Sequence, residues 1–355
     1  MGELTVKICA DSVADGILAQ LWMKLFTIRS TPKIERELSE YQAGGRIKRN
    51  ITDHVFILRS IMQHYKYINK YLVLEFLDLI KAFDKMSLKH VLNDLWRCNV
   101  RGKIWRNIYK INKQSSVAIK TAMGDSPDFE IGETLKQGSV LATALASMHT
   151  DGITKLFTHE ALGIMYGDLR INCLIFQDDI IKLEKSIHNL NKSNKIITTY
   201  QQMNLMEFHR DKSKVLETQT SKKSVTLGQI TLKETESYKY LGDIITADGT
   251  LKETIEDRSK SCTATVAELN SIIEETVSEN ILIDAVITYQ NSIIIPKLCL
   301  NSESWTLNNT ELQSMERIHN KSLKRMLRLP QGTPSFGLRA ELGILSVESI
   351  IHRKS

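Results

Sequence analysis

The run Leu169-Arg170-Ile171-Asn172-Cys173-Leu174-Ile175-Phe176-Gln177-Asp178-Asp179-Ile180-Ile181-Lys182-Leu183-Glu184 sets two short β-like apolar stretches on either side of an acidic pair. Short apolar runs rich in β-branched residues read as strands, and a polar break between two of them reads as a hairpin turn. Such a hairpin lifts the carboxylates of Asp178 and Asp179 to its tip. Adjacent carboxylates repel, and beside apolar strands their cost falls sharply if divalent cations sit between them. The plain alternative is a surface turn, where aspartate is a favoured residue. Taken alone, the pair favours the plain reading, since an acidic pair in a loop is ordinary.

Upstream, residues 70–80 (KYLVLEFLDLI) are nearly continuous apolar and read as a buried strand whose end carries one acid, Asp78. Two neighbouring strands that bring three carboxylates to one sheet edge form the layout for two Mg²⁺ ions and in-line phosphoryl transfer. Between these strands, Ser87 opens a helix with Leu88, Val91, Leu92, Leu95 and Trp96 on one face. Residues 117–122 and 129–131 read as a hairpin around Gly124-Asp125, and residues 139–159 as a helix. Downstream come a helix over 186–203, short strands near 205–208, 214–217 and 224–232, and a last strand signal at 238–245. Beyond Gly249 the pattern is almost wholly helical. Before the first strand, apolars at helical spacing (Ile17, Leu18, Leu21, Leu25, Phe26) span 11–40, and Thr52-Asp53 caps a second helix with Val55, Leu58, Ile61 and Met62. This mixture of hairpins and helices is of the α+β class.

With 355 residues, 42% apolar and 25% charged, the chain can bury a core and divides into two or three packed units. The five cysteines are scattered and never form a CxxC pair, which fits a thiol-reducing compartment and excludes a zinc-finger framework. No run approaches the roughly 18 apolar residues of a membrane span, and residues 1–10 lack the order of a secretory signal, so no membrane partner is expected and an intracellular site, nucleus or cytoplasm, is. A net charge of +6 is compatible with a polyanionic partner.

Six stretches occur in a telling order: Gln42-Ala43-Gly44 with Arg46, Arg49 and Asp53-His54; Phe76-Leu77-Asp78-Leu79-Ile80-Lys81-Ala82-Phe83-Asp84; Lys136-Gln137-Gly138; Phe176-Gln177-Asp178-Asp179; Lys212-Ser213-Lys214; and Tyr238-Lys239-Tyr240-Leu241-Gly242. This order, followed by Ser304-Trp305-Thr306-Leu307, resembles the reverse transcriptases of non-LTR (LINE-type) retrotransposons over most of the chain. The resemblance implies a right-hand polymerase fold, with fingers and palm over residues 1–248, a helical thumb-like region over 249–330 and a truncated C-terminal segment over 331–355.

It also implies an RNA-directed DNA polymerase that extends a DNA primer on an RNA template from deoxynucleoside triphosphates, using two Mg²⁺ ions, with Mn²⁺ as a substitute. Asp78, Asp178 and Asp179 match the metal-binding carboxylates. Lys212 matches a lysine beside the departing pyrophosphate. Phe83 matches the aromatic that lies under the incoming sugar, and Gln137 and Gly138 match the segment that approaches the templating base, where glycine leaves room for close contact. Arg46 and Arg49 match basic residues that meet triphosphate or template phosphates, a role suited to guanidinium forks. In the C-terminal third, Thr310 with Gln313 predicts a capping box opening a helix whose basic residues Arg317, Lys321, Lys324 and Arg325 face nucleic acid.

The chain departs from the family pattern in places. The finger stretch reads Gly44-Gly45-Arg46-Ile47-Lys48-Arg49-Asn50, Ser139-Val140 follows Gln137-Gly138 where proline is usual, and Gln177 stands where alanine is usual. The resemblance places Met1 inside the polymerase region, downstream of the family's endonuclease. Two outcomes therefore stand: a truncated polymerase, or a catalytically silent remnant that at most binds nucleic acid.

Overall fold

The computed structural model of the chain describes residues 5–7, 13–80, 82–113, 116–121, 124–127, 129–130, 141–157, 162–219, 223–276 and 279–354. Contacts divide it into two compact units, Met1–Asn50 with Lys70–Thr235, and Ile51–Asn69 with Glu236–Ser355. The border expected from sequence falls at residue 248; the units part at 235–236, and the helix Ile51–Tyr67 belongs to the second.

The first unit is organised on six strands: β1 (Val73–Asp78), β2 (Cys173–Phe176), β3 (Asp179–Glu184), β4 (Lys214–Glu217), β5 (Val225–Leu227) and β6 (Ile230–Glu234). They lie in the order β5-β6-β4-β1-β3-β2, antiparallel except for the β4–β6 pair. The run 169–176 breaks at Asn172: Leu169–Ile171 pairs instead with Ile164–Tyr166 in a separate hairpin. The strand expected at 205–208 is only a single bridge, Leu79 to Phe208, and the one expected over 224–232 is β5 and β6 joined through Gly228.

Alternation along β1 sends Val73, Glu75 and Leu77 to one face and Leu74, Phe76 and Asp78 to the other. On the first face Val73 and Leu77 join a core with Ile180, Leu190 and Ile197, beneath the helices Ala142–Phe157 and Ile187–Asn204. Glu75 is also on this face, fully buried and directly opposite Lys182. Lys182 Nζ donates to Glu75 Oε2 at 2.8 Å and to Asn194 Oδ1, while Asn194 Nδ2 donates to Glu75 Oε1 at 2.7 Å. Each charge is matched, so the cluster fixes the register: a one-residue slip would turn the pair to opposite faces.

Two expectations need correcting in this unit. Along the helix Val13–Glu37, Met23, Phe26 and Ile34 are buried and Leu21 and Leu25 are exposed, so the buried stripe is not the one that Leu21 and Leu25 suggest. A helix not expected from the sequence, Lys103–Lys113, follows Gly102, whose φ of 71° lets the chain turn out of the preceding helix.

In the second unit β7 (Ser237–Tyr240) and β8 (Asp243–Thr246) form a hairpin, so the single strand expected at 238–245 is two. Leu241 and Gly242 make the turn, both at positive φ (43° and 92°), the signature of a two-residue turn matched to strand twist. Helices Lys252–Thr276 and Asn309–Met326 carry much of the core, which includes Ile255, Val266, Met315 and Leu323. The capping box is set two residues before the expected one: Asn308 accepts from the Glu311 backbone N–H and Glu311 accepts from that of Asn308, so Thr310 already lies inside the helix. Among the described residues no helix is long and apolar enough to cross a membrane.

At the centre of this unit Asp243 is fully buried. It accepts from Arg59 Nη2 (2.9 Å), Trp305 Nε1 (2.7 Å), Asn301 Nδ2 (3.2 Å) and Arg258 Nη2 (3.3 Å). Trp305, in the stretch 304–307, thus meets the carboxylate that directly follows the stretch 238–242.

Candidate active site

Asp78 and Asp179 are directly opposed in the β1–β3 register, and Phe176 opposes Asp179 across the β2–β3 hairpin, leaving Gln177-Asp178 as a two-residue turn. Opposed residues of an antiparallel pair share a face with Cβ atoms about 4.5–5.5 Å apart, so register alone brings Asp78 beside Asp179. Of the two turn residues only Gln177 has positive φ, 59°, at the position that glycine usually fills in a type II′ turn. Holding a non-glycine residue there costs on the order of 1–3 kcal/mol.

The loop after the helix Ile187–Asn204 runs beside the end of β1. His209 donates its N–H to the Asp78 carbonyl at 2.7 Å, and the Asp78 N–H donates to Oγ of the buried Ser213 at 3.2 Å. This places the exposed Lys212 with Nζ 3.5 Å from Asp78 Oδ2. Burial, then the charges of Asp178 and Asp78, push the Asp179 carboxyl up to about 6, with Lys212 pulling it down. Burial also raises Asp178, with a further rise from Asp78, against a hydrogen bond from its own backbone and the Lys212 charge. Among the described residues three acids face one lysine and are short of positive charge, a shortage that a cation would relieve.

All the donors offered are hard carboxylate oxygens, the set that suits Mg²⁺ or Mn²⁺. Among the described residues no three His, Cys, Asp or Glu side chains close into a cage around one ion. Mg²⁺ at phosphoryl-transfer sites is held by one or two carboxylates with water and substrate phosphate completing its shell, so an open acidic edge fits it.

The other residues singled out in the sequence are dispersed. Arg46 is turned inward: its Nε pairs with Glu35 Oε2 at 3.0 Å and its Nη1 donates to the Ser39 carbonyl at 2.7 Å. Arg49 pairs with Glu40 at 2.5 Å. Phe83 falls on the short helix Ala82–Lys85, and its side chain, like all of Gln137 and Gly138, lies outside the described residues. On the helix Asn309–Met326, Arg317, Lys321 and Arg325 are exposed at four-residue spacing and form one stripe. Lys324 is buried and donates to the Gln331 carbonyl at 2.8 Å. Sequence reasoning missed the supporting roles of Ser213 and Gln42, although both lie inside quoted motifs; the available signal was a small hydroxyl, and an amide beside glycine, within stretches already set apart.

The profile described as reverse transcriptase (RNA-dependent DNA polymerase) matches residues 21–245, which is more than half of the chain. The chain belongs to the reverse transcriptase family. Its mixed α+β architecture with an antiparallel sheet is the polymerase fold of that family. Among solved structures, telomerase from Candida albicans in complex with a fragment of telomeric RNA is similar at 10% identity and a TM-score of 0.48, covering 94% of this chain and 57% of that one. Apo telomerase from Candida tropicalis is similar at 11% identity and a TM-score of 0.47, covering 95% of this chain and 50% of that one. This reverse transcriptase chain therefore spans about half the length of the telomerases it resembles. No curated protein sequence matches it.

Proposed function

We propose that the chain is an RNA-directed DNA polymerase of non-LTR (LINE-type) retrotransposon origin that extends a DNA primer on an RNA template from deoxynucleoside triphosphates. The observation that carries this reading is the β1–β3 register, which opposes Asp78 and Asp179 with Asp178 in the adjoining turn. Asp78, Asp178 and Asp179 would hold two Mg²⁺ or Mn²⁺ ions, whose chemistry is to lower the pKa of the primer 3′-hydroxyl and offset charge on the departing pyrophosphate. The chain itself mainly positions the reactants.

Lys212 shields Asp78 before substrate arrives and is exposed enough to turn toward the pyrophosphate oxygens. Phe83 underlies the sugar, and Gln137 and Gly138 approach the templating base. Arg46 and Arg49 meet phosphates only after exchanging Glu35 and Glu40 for them. Arg317, Lys321 and Arg325 meet the duplex backbone, while Lys324 stays with Gln331. In this reading residues 1–248 are fingers and palm, 249–330 the thumb-like region, and 331–355 a further C-terminal segment.

The test is primer extension on an RNA template in Mg²⁺ with purified protein. Wild type is expected to incorporate nucleotides and Asp78→Ala to lose incorporation by about a thousandfold or more. The engagement of Arg46 by Glu35 favours a second reading, a silent nucleic-acid binder. Salt-sensitive binding without incorporation by wild type would establish that reading instead.

A further inference from the structure

We propose that Gln42 is the positioning residue of the acidic turn: its side-chain amide sets where the Gln177 peptide sits, and thereby how tightly Asp178 and Asp179 hold a divalent cation. This deepens the polymerase reading and rests on it for the identity of the cation.

Gln42 is fully buried, and its amide makes the four hydrogen bonds open to it. Oε1 accepts from the Gly44 N–H at 2.8 Å and from the Gln177 N–H at 3.2 Å. Nε2 donates to the Ser147 carbonyl at 3.2 Å and to Thr150 Oγ1 at 3.1 Å. Two N–H groups on one side and a carbonyl on the other leave only one orientation of the amide that satisfies all of them. The side chain therefore ties the catalytic turn to the helix Ala142–Phe157, a rigid element of the core.

The backbone reinforces the tie. Ala43 donates to the Ile175 carbonyl at 2.9 Å and Ile175 donates to the Tyr41 carbonyl at 2.8 Å, so residues 41–43 cover the outer edge of β2 just before the turn. Gly44 is pressed against the turn itself: a Cβ there would lie 2.3 Å from the Gln177 nitrogen and 2.8 Å from the Phe176 carbonyl carbon. Gln177 needs such a hold because it keeps φ at 59° without being glycine. The residue types of the motif Gln42-Ala43-Gly44 suit the role of a clamp, since an amide brings both donor and acceptor and Gly44 admits the turn's backbone.

Gln42→Met keeps the length and removes both polar functions; Gln42→Glu, fully buried and therefore held protonated, keeps an oxygen that accepts from Gly44 and Gln177 and an O–H that donates toward the Ser147 carbonyl, three of the four bonds. Mn²⁺ binding is read by electron paramagnetic resonance on the full chain, alongside Mg²⁺-dependent extension, primer–template affinity and melting temperature. Gln42→Met is expected to weaken Mn²⁺ binding by about tenfold, within the 10–100-fold cost usual for partners that orient metal ligands. The Mg²⁺ needed for half-maximal extension rises by the same factor, and primer–template affinity is unchanged. Gln42→Glu binds Mn²⁺ within about threefold of wild type, against the tenfold loss typical of a missing orienting partner.

A merely structural role would lower the melting temperature and the active fraction while leaving the cation affinity of the folded molecules unmoved. Unchanged Mn²⁺ affinity in Gln42→Met, or equal weakening in Gln42→Glu, overturns the proposal. If Gln42→Met does not fold, Gln42→Glu decides: affinity near wild type supports it and a tenfold loss overturns it. Wild type that binds Mn²⁺ without extending primers overturns the polymerase reading alone, and the Mn²⁺ comparison still decides the role of Gln42. Wild type that does neither overturns both.

Discussion

Asp243 and the Asp178-Asp179 turn are both partly or wholly withdrawn from water, yet they are equipped in opposite ways. Asp243 receives two arginines, an indole and an amide, so its charge is answered on every side. Among the described residues, Asp178 and Asp179 have Asp78 for a neighbour and one lysine, itself placed at Asp78, and both carboxyls are raised. The first arrangement is stable as it is. The second has a deficit of positive charge among the described residues, and under the proposed function a bound cation would make it good.

The largest way to break the contrast is Asp178→Asn. Extension should fall by about a thousandfold or more, about 4 kcal/mol in barrier, while melting temperature holds or rises because a raised carboxylate has been neutralised; unchanged extension would sink the assignment. The same change at Asp243 should act in reverse: Asp243→Asn leaves Arg59 and Arg258 buried against a neutral amide and costs about 3–5 kcal/mol of stability. Hydrogen exchange should report it as lost protection across residues 51–69 and 236–355, and intact protection would contradict it.

Acid sharpens the comparison further. His319 is buried and neutral, Nε2 donating to the Leu345 carbonyl at 3.1 Å and Nδ1 accepting from Gln290 at 2.8 Å. Burial, then the Arg339 charge, hold its pKa down to about 4 against the Leu345 bond, from an ordinary 6.5. Between those values the unfolded chain takes up a proton that the folded chain refuses. The stability from His319 is complete above pH about 6.5 and falls by up to about 3 kcal/mol as pH drops to the folded value. Urea unfolding from pH 7 to 4 should show that loss, and His319→Leu should flatten it. The smallest effect is expected at the stripe: Arg325→Gln should reduce the salt dependence of primer–template binding by about one counterion and leave the extension rate of bound complex unchanged.

The strands and the turn were legible because their signals are local: an apolar run that ends on Asp78, and an acidic pair between two more. What sequence could not supply was pairing. The opposition of Asp78 and Asp179, and of Glu75 and Lys182 three residues further in, exists only once β1 lies against β3. Lys182 and Glu75 read as polar interruptions of apolar strands, yet both are buried because each answers the other. Asp243 lay within a strand signal, with nothing to announce donors from Arg59, 184 residues earlier, and Trp305, 62 later. The capping box slipped because Thr310 with Gln313 repeats the pattern of Asn308 with Glu311 two residues on, and the observed bonds choose the stronger cap, Asn308. Gln42 was visible as part of a motif, but its partner in the turn is 135 residues away.

The placement of the helix Ile51–Tyr67 in the second unit carries a consequence for synthesis. Arg59 leaves the ribosome long before Asp243 does, and at about 5–20 residues per second the wait is on the order of 10–40 s. During that interval a guanidinium destined for burial has no carboxylate, and the helix that bears it belongs to a unit whose remaining 120 residues, Glu236–Ser355, are still to be made. The unit can close only once those residues exist, so the polypeptide must hold an early helix in reserve while they are made.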